Sequence, residues 1–336
     1  MNRETFLSQL KEALADMPEA ERKDVLDYFE ELILDKAADM GVPEESVIAE
    51  LGSVQDVASA VRASAGSAGT APESPPEPLD DGEMGDLVFT GDAAQVRSLV
   101  MRVSNSRVNV HAGKDDQVVI HYTQTRQNRY TVSVENGELV FEQIKPASLL
   151  AWGIGVFLEP ARPIEVFLPK EFAGKANLVT SNAKMRWEDV SAWGSLMLKS
   201  SNGAVDIERA QAKELTATTS NGRITIEQVE AQGAITLSTS NGKVEATKVR
   251  AAAVSLRTSN GSVHVQDVKA DDITLRTSNG GIDGVIAGSA QEYTVTSGTS
   301  NGKNNLRGHA HTGPKRLSAH TSNASIRLEF AQDAPE

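Results

Sequence analysis

Residues 215–251 read LTATTSNGRITIEQVEAQGAITLSTSNGKVEATKVRA, and Ser-Asn-Gly occurs in them twice, at Ser220 and Ser240. Across the chain, Ser-Asn or Ser-Asn-Gly begins at Ser181, Ser201, Ser220, Ser240, Ser259, Ser278, Ser300 and Ser322. The spacings are 20, 19, 20, 19, 19, 22 and 22 residues, and an isolated ninth copy begins at Ser104. A fixed period near 20 marks a repeat architecture, in which each unit buries its apolar face against its neighbours.

Counting from each serine shows which positions face inward. Apolar pairs stand five and three residues before it (Leu215 and Ala217, Ile235 and Leu237, Val254 and Leu256) and four and six after it (Ile224 and Ile226, Val244 and Ala246, Val263 and Val265). Each pair has the period of two that a strand with one buried face requires. Asn-Gly between two such pairs also fits a hairpin. A third pair, nine and eleven residues after the serine (Val229 and Ala231, Val249 and Ala251, Val268 and Ala270), favours a coil with three short sides over a meander of hairpins. The expected fold is mainly β, a three-sided parallel β-solenoid behind a small all-α head of four helices.

In such a coil the corner amides stack. Asn182, Asn202, Asn221, Asn241, Asn260, Asn279, Asn301 and Asn323 are the expected ladder, each bonding the coil above and below. Coils stacked in chain order give seven steps of about 4.8 Å, roughly 34 Å. Glycine at the corner is expected to supply a positive φ. The 22-residue spacings around Ser300 suggest bulges or a loosening end.

The rest of the chain divides by composition. Residues 1–63 carry helical apolar spacing at Phe6, Leu7, Leu10 and Leu14, then at Val25, Leu26, Phe29, Leu32 and Ile33, with Pro18, Pro43 and Ser53 at helix starts. Residues 64–85 are small, proline-rich and acidic, a disordered linker. Residues 86–170 read as non-repeating strands that can cap the solenoid, residues 171–329 as the repeat body, and residues 330–336 as a tail. The net charge of −13 sits at the front, because residues 1–63 hold 6 basic and 15 acidic residues. An acidic head argues against nucleic-acid binding. With no cysteine, disulfides and thiolate metal sites are excluded. No signal peptide or membrane-spanning run stands out, so the sequence by itself reads as cytoplasmic, with peripheral-membrane or cell-surface association open.

These residues resemble two bacterial families. Met17–Arg22 (MPEAER), Asp27–Glu31 (DYFEE) and Ile48–Ser53 (IAELGS) resemble the helical HAAS signalling domain. Ile164–Pro169 (IEVFLP) and the Thr-Ser-Asn-Gly repeats, over about residues 86–329, resemble the bacterial putative-adhesin family of β-strand repeats. The resemblance implies a link to Gram-positive cell-envelope stress systems, with some members membrane-anchored or surface-exposed, and it transfers no functional residue.

Candidate chemistry is sparse. Bases flank the corners at Lys184, Lys199, Arg223, Lys243, Arg257, Arg276 and Lys303. They read as a solubilising stripe or, more sharply, as a dock for an anionic partner: the acidic head, an anionic envelope polymer or lipid headgroups. Asp206, Glu208, Glu227, Glu245, Asp283 and Glu329 recur with the repeat rather than converging once, so no catalytic residue is assigned. His309, His311 and His320 are a conceivable metal cluster without a carboxylate at ligand spacing; no metal and no cofactor are assigned. Leu149–Leu158, with Trp152, reads as a cover for the core or a contact loop. The expected function is a non-enzymatic interaction or scaffold protein in envelope stress response or adhesion, its helices recruiting a protein partner. A polysaccharide-acting solenoid enzyme and an intracellular regulatory adaptor are the alternatives.

Overall fold

The computed structural model describes residues 1–19, 22–23, 25–26, 29–30, 33, 43–51, 53–65, 84–125, 128–144, 162–308 and 312–331. Most of the 64–85 linker, the Leu149–Leu158 run, His309, His311 and the end of the tail lie outside them. The described residues form two units, one within residues 1–82 and one within 83–144 and 161–336.

In the first unit, α1 (Arg3–Ala13), α2 (Glu44–Leu51) and α3 (Val54–Ala65) are helical. Asn2 caps α1 by accepting the Thr5 N–H at 2.9 Å, and Ser53 caps α3 by accepting the Asp56 N–H at 3.1 Å. Described residues between 19 and 33 are helical too, and Val25, Phe29 and Ile33 join Phe6, Leu10, Leu14, Val47, Ile48, Val57 and Val61 in one core. The rest of that segment is outside the described residues. No helix among the described residues is long and apolar enough to cross a membrane.

The second unit is one sheet of 22 strands. Its first part holds β1 (Gly85–Asp92), β2 (Ser98–Arg102), β3 (Val108–Ala112), β4 (Gln117–Gln124), β5 (Tyr130–Glu135), β6 (Glu138–Gln143) and β7 (Ile164–Leu168). Then come β8 (Glu171–Phe172), β9 (Lys175–Val179), β10 (Met185–Glu188), β11 (Ser191–Lys199), β12 (Val205–Thr218), β13 (Ile224–Ala231) and β14 (Ala234–Ser238). The last are β15 (Val244–Arg250), β16 (Ala253–Arg257), β17 (Val263–Lys269), β18 (Asp272–Arg276), β19 (Ile282–Ala287), β20 (Tyr293–Gly298), β21 (Lys315–His320) and β22 (Ile326–Ala331).

Equivalent strands of successive repeats pair in parallel. Leu215, Ile235, Val254, Ile273 and Leu317 follow one another in register, as do Ile207, Ile226, Ala246 and Val265, and Ala210, Val229, Val249 and Val268. All are buried in a single continuous core. Full burial of one such Ile, Leu or Val contributes about 1.5–3 kcal/mol. Near the start, β1–β4, β4–β7 and β5–β6 are antiparallel, while β2 and β3 pair in parallel with β9 and β10. The Ser104 copy, which looks isolated in sequence, therefore joins the repeats.

Two sequence expectations are corrected here. Corner glycines Gly203, Gly222, Gly242, Gly261, Gly280 and Gly302 do not have positive φ. They are glycine because of close approach: a Cβ at Gly242 would lie 1.8 Å from the Gly222 carbonyl oxygen one coil away. The left-handed residues come eight positions after the serine and are Asp189, Arg209, Gln228, Lys248 and Asp267, with φ between 49° and 59°. They bend the chain between its second and third paired stretches.

Stacking order is the second correction. β18 pairs with β21 and β19 with β22, while β20 pairs with the opposite edge of β21. The coil at Ser322 is thus inserted between those at Ser278 and Ser300. The cause is the irregular segment after Ser300, where Asn304 makes only an isolated bridge to Ile326 and the chain returns to place β21 against β18. The 22-residue spacings mark this detour.

The terminal coil is fastened by an ion pair. Lys315 Nζ lies 2.7 Å from Glu292 Oε2, and Glu292 Oε1 accepts the Ser289 N–H at 3.0 Å. Lys315 first, then that N–H, holds the Glu292 carboxyl below its ordinary range. A depressed folded-state value means the contribution is full above the ordinary glutamate range and is lost as pH falls through the lowered value. Acidification is therefore expected to loosen the 289–293 turn, and Lys315→Met to reduce that pH dependence to the part contributed by the Ser289 N–H. Hydrogen exchange at the Tyr293 amide between pH 6 and pH 3 checks this; identical profiles for both proteins would refute it.

Candidate anion-binding face

Each corner is built from four residues with separate tasks. The residue before the serine (Thr180, Ser200, Thr219, Thr239, Thr258, Thr277, Thr321) is buried. The Thr239 hydroxyl accepts the Gly242 N–H at 3.2 Å and sits 3.0 Å from the Gly222 carbonyl and 3.2 Å from the Ser220 carbonyl, donating into them. The corner serine is exposed; the asparagine side chains form a column at the surface. Asn202 donates to Asn182 at 2.7 Å, Asn221 to Asn202 at 2.6 Å, Asn241 to Asn221 at 2.6 Å, Asn260 to Asn241 at 2.6 Å and Asn279 to Asn260 at 2.7 Å. The column continues through Asn323, which donates to Asn279 at 2.6 Å, and ends at Asn301, which donates to Asn323 at 2.8 Å. At its other end Asn182 donates to Asn105 at 2.8 Å, a member the period of 20 did not reach. The period alone does not single out the buried threonines either, although Thr precedes most copies of the motif.

The basic stripe does not stay together. Lys184, Arg223, Lys243 and Lys303 follow the corner by three residues, whereas Lys199, Arg257 and Arg276 precede it by two, so the asparagine column separates two sets. Three of the first set are engaged by carboxylates: Lys184 lies 2.5 Å and Arg223 3.8 Å from Asp206, and Lys243 lies 2.6 Å from Glu245. Lys199 stands between Val179 and Thr218 in register, alone among neutral neighbours. Lys303 sits on the outermost coil beside Ser325.

Arg257 and Arg276 differ. They occupy adjacent register positions on β16 and β18, and His320 on β21 is next in line, followed by Gly298 on β20. Both guanidinium groups are exposed, and neither makes an ion pair or side-chain hydrogen bond with a described residue. With His320 and Gly298 they line a groove of about 620 Å³, whose remaining walls are the corner threonines and serines from Thr258–Ser259, Thr277–Ser278, Thr299–Ser300 and Thr321–Ser322. No carboxylate lines it. The arrangement suits an anion: arginine forks bind oxyanions bidentately, and uncompensated charge raises the local concentration of anions.

Four of the six acids considered for catalysis, Asp206, Glu208, Glu245 and Asp283, are held in pairs with basic side chains. Glu208 meets Arg186 and Arg209 at 3.3 Å each, and Asp283 lies 2.6 Å from His264 Nδ1. Among the described residues no group of three His, Cys, Asp or Glu side chains is placed to hold a metal ion.

No curated protein matches this chain. Among solved structures, a putative cell adhesion protein from Clostridium sporogenes is 8% identical, with a TM-score of 0.27, over 74% of this chain and 100% of that one. A putative adhesin from Bacteroides fragilis is 12% identical, with a TM-score of 0.37, over 72% of this chain and 96% of that one. Residues 5–60 match the HAAS family. Residues 96–331, which carry the parallel-paired coils and the asparagine column, match the Toastrack DUF4097 family, and the chain belongs to it.

Proposed function

We propose that this chain is a non-enzymatic interaction and scaffold protein serving bacterial envelope stress response or adhesion. In this reading the HAAS head recruits a protein partner and the repeat body, a three-sided solenoid, presents the binding surface. The three parallel-paired stretches per repeat, such as 205–208, 210–212 and 215–218, support the three sides. The observation that carries the functional reading is the unpaired Arg257–Arg276 couple in a groove free of carboxylates.

The test is retention of the full chain on a polyanionic resin across a salt gradient. Exposed charge is screened within about 10 Å at 0.1 M salt, so elution at modest salt is expected. Arg257→Gln with Arg276→Gln should abolish retention, whereas Lys184→Gln with Lys243→Gln should weaken it much less, because those cations are engaged by Asp206 and Glu245. Equal effects of the two pairs of substitutions would overturn the reading.

A further inference from the structure

We propose that the Arg257–Arg276 groove takes a linear phosphate-bearing polymer running along the stack, across the strands, and that it is not a membrane-docking face; this rests on the anion-binding reading above. The direction follows from register. Arg257, Arg276 and His320 stand on three consecutive strands, about 4.8 Å apart, so the cationic groups repeat along the axis and not along any strand. Gly298, next in the row, has no side chain to close the far end.

Phosphate fits better than carboxylate on acceptor geometry. One arginine fork takes two of the roughly four lone pairs of a planar carboxylate and leaves the rest in the same plane, whereas the two non-bridging oxygens of a phosphodiester, on tetrahedral phosphorus, keep lone pairs outside the fork's plane for a second donor. Second donors stand beside the row: the Ser259, Ser278 and Ser322 hydroxyls are exposed and bond to no described residue, whereas the threonine hydroxyls one residue earlier are consumed by the corners. A chain of phosphodiesters offers such a group again and again, matching a site that repeats by translation.

Membrane docking lacks its usual apolar component here. Surfaces that enter the headgroup layer present apolar side chains beside their cations. The exposed large hydrophobics among the described residues (Met84, Val88, Val134, Ile144, Trp193 and Met197 in this unit) all precede residue 200, and none lines the groove.

The experiment measures binding of the full chain at low salt by calorimetry. The probes are poly(glycerol phosphate), inorganic phosphate, a polyuronate of matched charge, and phosphatidylglycerol vesicles. The polymer is expected to bind tightest and more tightly as it lengthens. Arg276→Gln and Arg257→Gln should each weaken it about tenfold, equivalent to about 1.4 kcal/mol, through loss of a charge-assisted hydrogen bond. Lys243→Gln should leave it unchanged, and circular dichroism of the variants should match wild type. Equal affinity for polyuronate would overturn phosphate selection, and equal affinity for vesicles would overturn the polymer; either result leaves the anion-binding reading standing. No binding to any of the four probes would remove both.

Discussion

Gly284→Ala is expected to destabilise the repeat body by about 3–5 kcal/mol, combining backbone strain with overpacking. Gly284 has φ +132°, a conformation that residues with a Cβ rarely adopt. A Cβ there would also lie 1.7 Å from the Val265 carbonyl oxygen, 2.7 Å from its carbon and 2.9 Å from its nitrogen. All three atoms belong to the paired strand, so no flexible side-chain end can move aside. The glycine sits beside a register shift between Gln266 and Val268, where β19 realigns with β17. Gly281→Ala is the control: its Cβ would meet only Ser325 O at 3.5 Å, and the expected change is within about 0.5 kcal/mol. Urea midpoints followed by circular dichroism report both, and coincident curves for Gly284→Ala and wild type would refute the account.

Thr239→Val should cost about 2–4 kcal/mol although it preserves shape. The loss is polar. Without the hydroxyl, the Gly242 N–H loses its acceptor and the Gly222 carbonyl loses a donor, both at a corner enclosed by neighbouring coils. An unsatisfied buried group costs about 1–3 kcal/mol, and two are created. Thr236, on the outward side of β14 just before this corner, tests whether hydroxyl loss alone matters. Thr236→Val is expected to be neutral or slightly stabilising, and a matching loss at both positions would defeat the explanation.

Much of the repeat body is legible in the sequence because a strand's period of two and a coil's period near 20 are both written in residue type. Ile235 with Leu237, and Val244 with Ala246, announce their side of the chain without reference to anything distant. The left-handed bend is not announced: Asp189, Arg209, Gln228, Lys248 and Asp267 share a backbone conformation but no side-chain chemistry. The conformation is imposed by where the next stretch must begin. Stacking order is equally silent, since every corner carries the same motif and Asn323 fits on Asn279 as well as Asn301 would. The division of the basic stripe was within reach. Residues two before and three after a corner lie on different sides of it, and Lys243 and Glu245, two apart on one strand, share a face.

The inserted coil has a consequence for biosynthesis. Coils from Ser181 to Ser278 meet their neighbours in the order in which the ribosome releases them. The outer edges of β18 and β19, by contrast, are covered only by residues 315–331, the last part of this unit to emerge. A nascent or prematurely terminated chain therefore presents two bare strand edges, the kind of surface that invites aggregation and proteolytic triage. Arrival of residues 315–331 closes them, so the stack becomes continuous only when this inserted coil is in place.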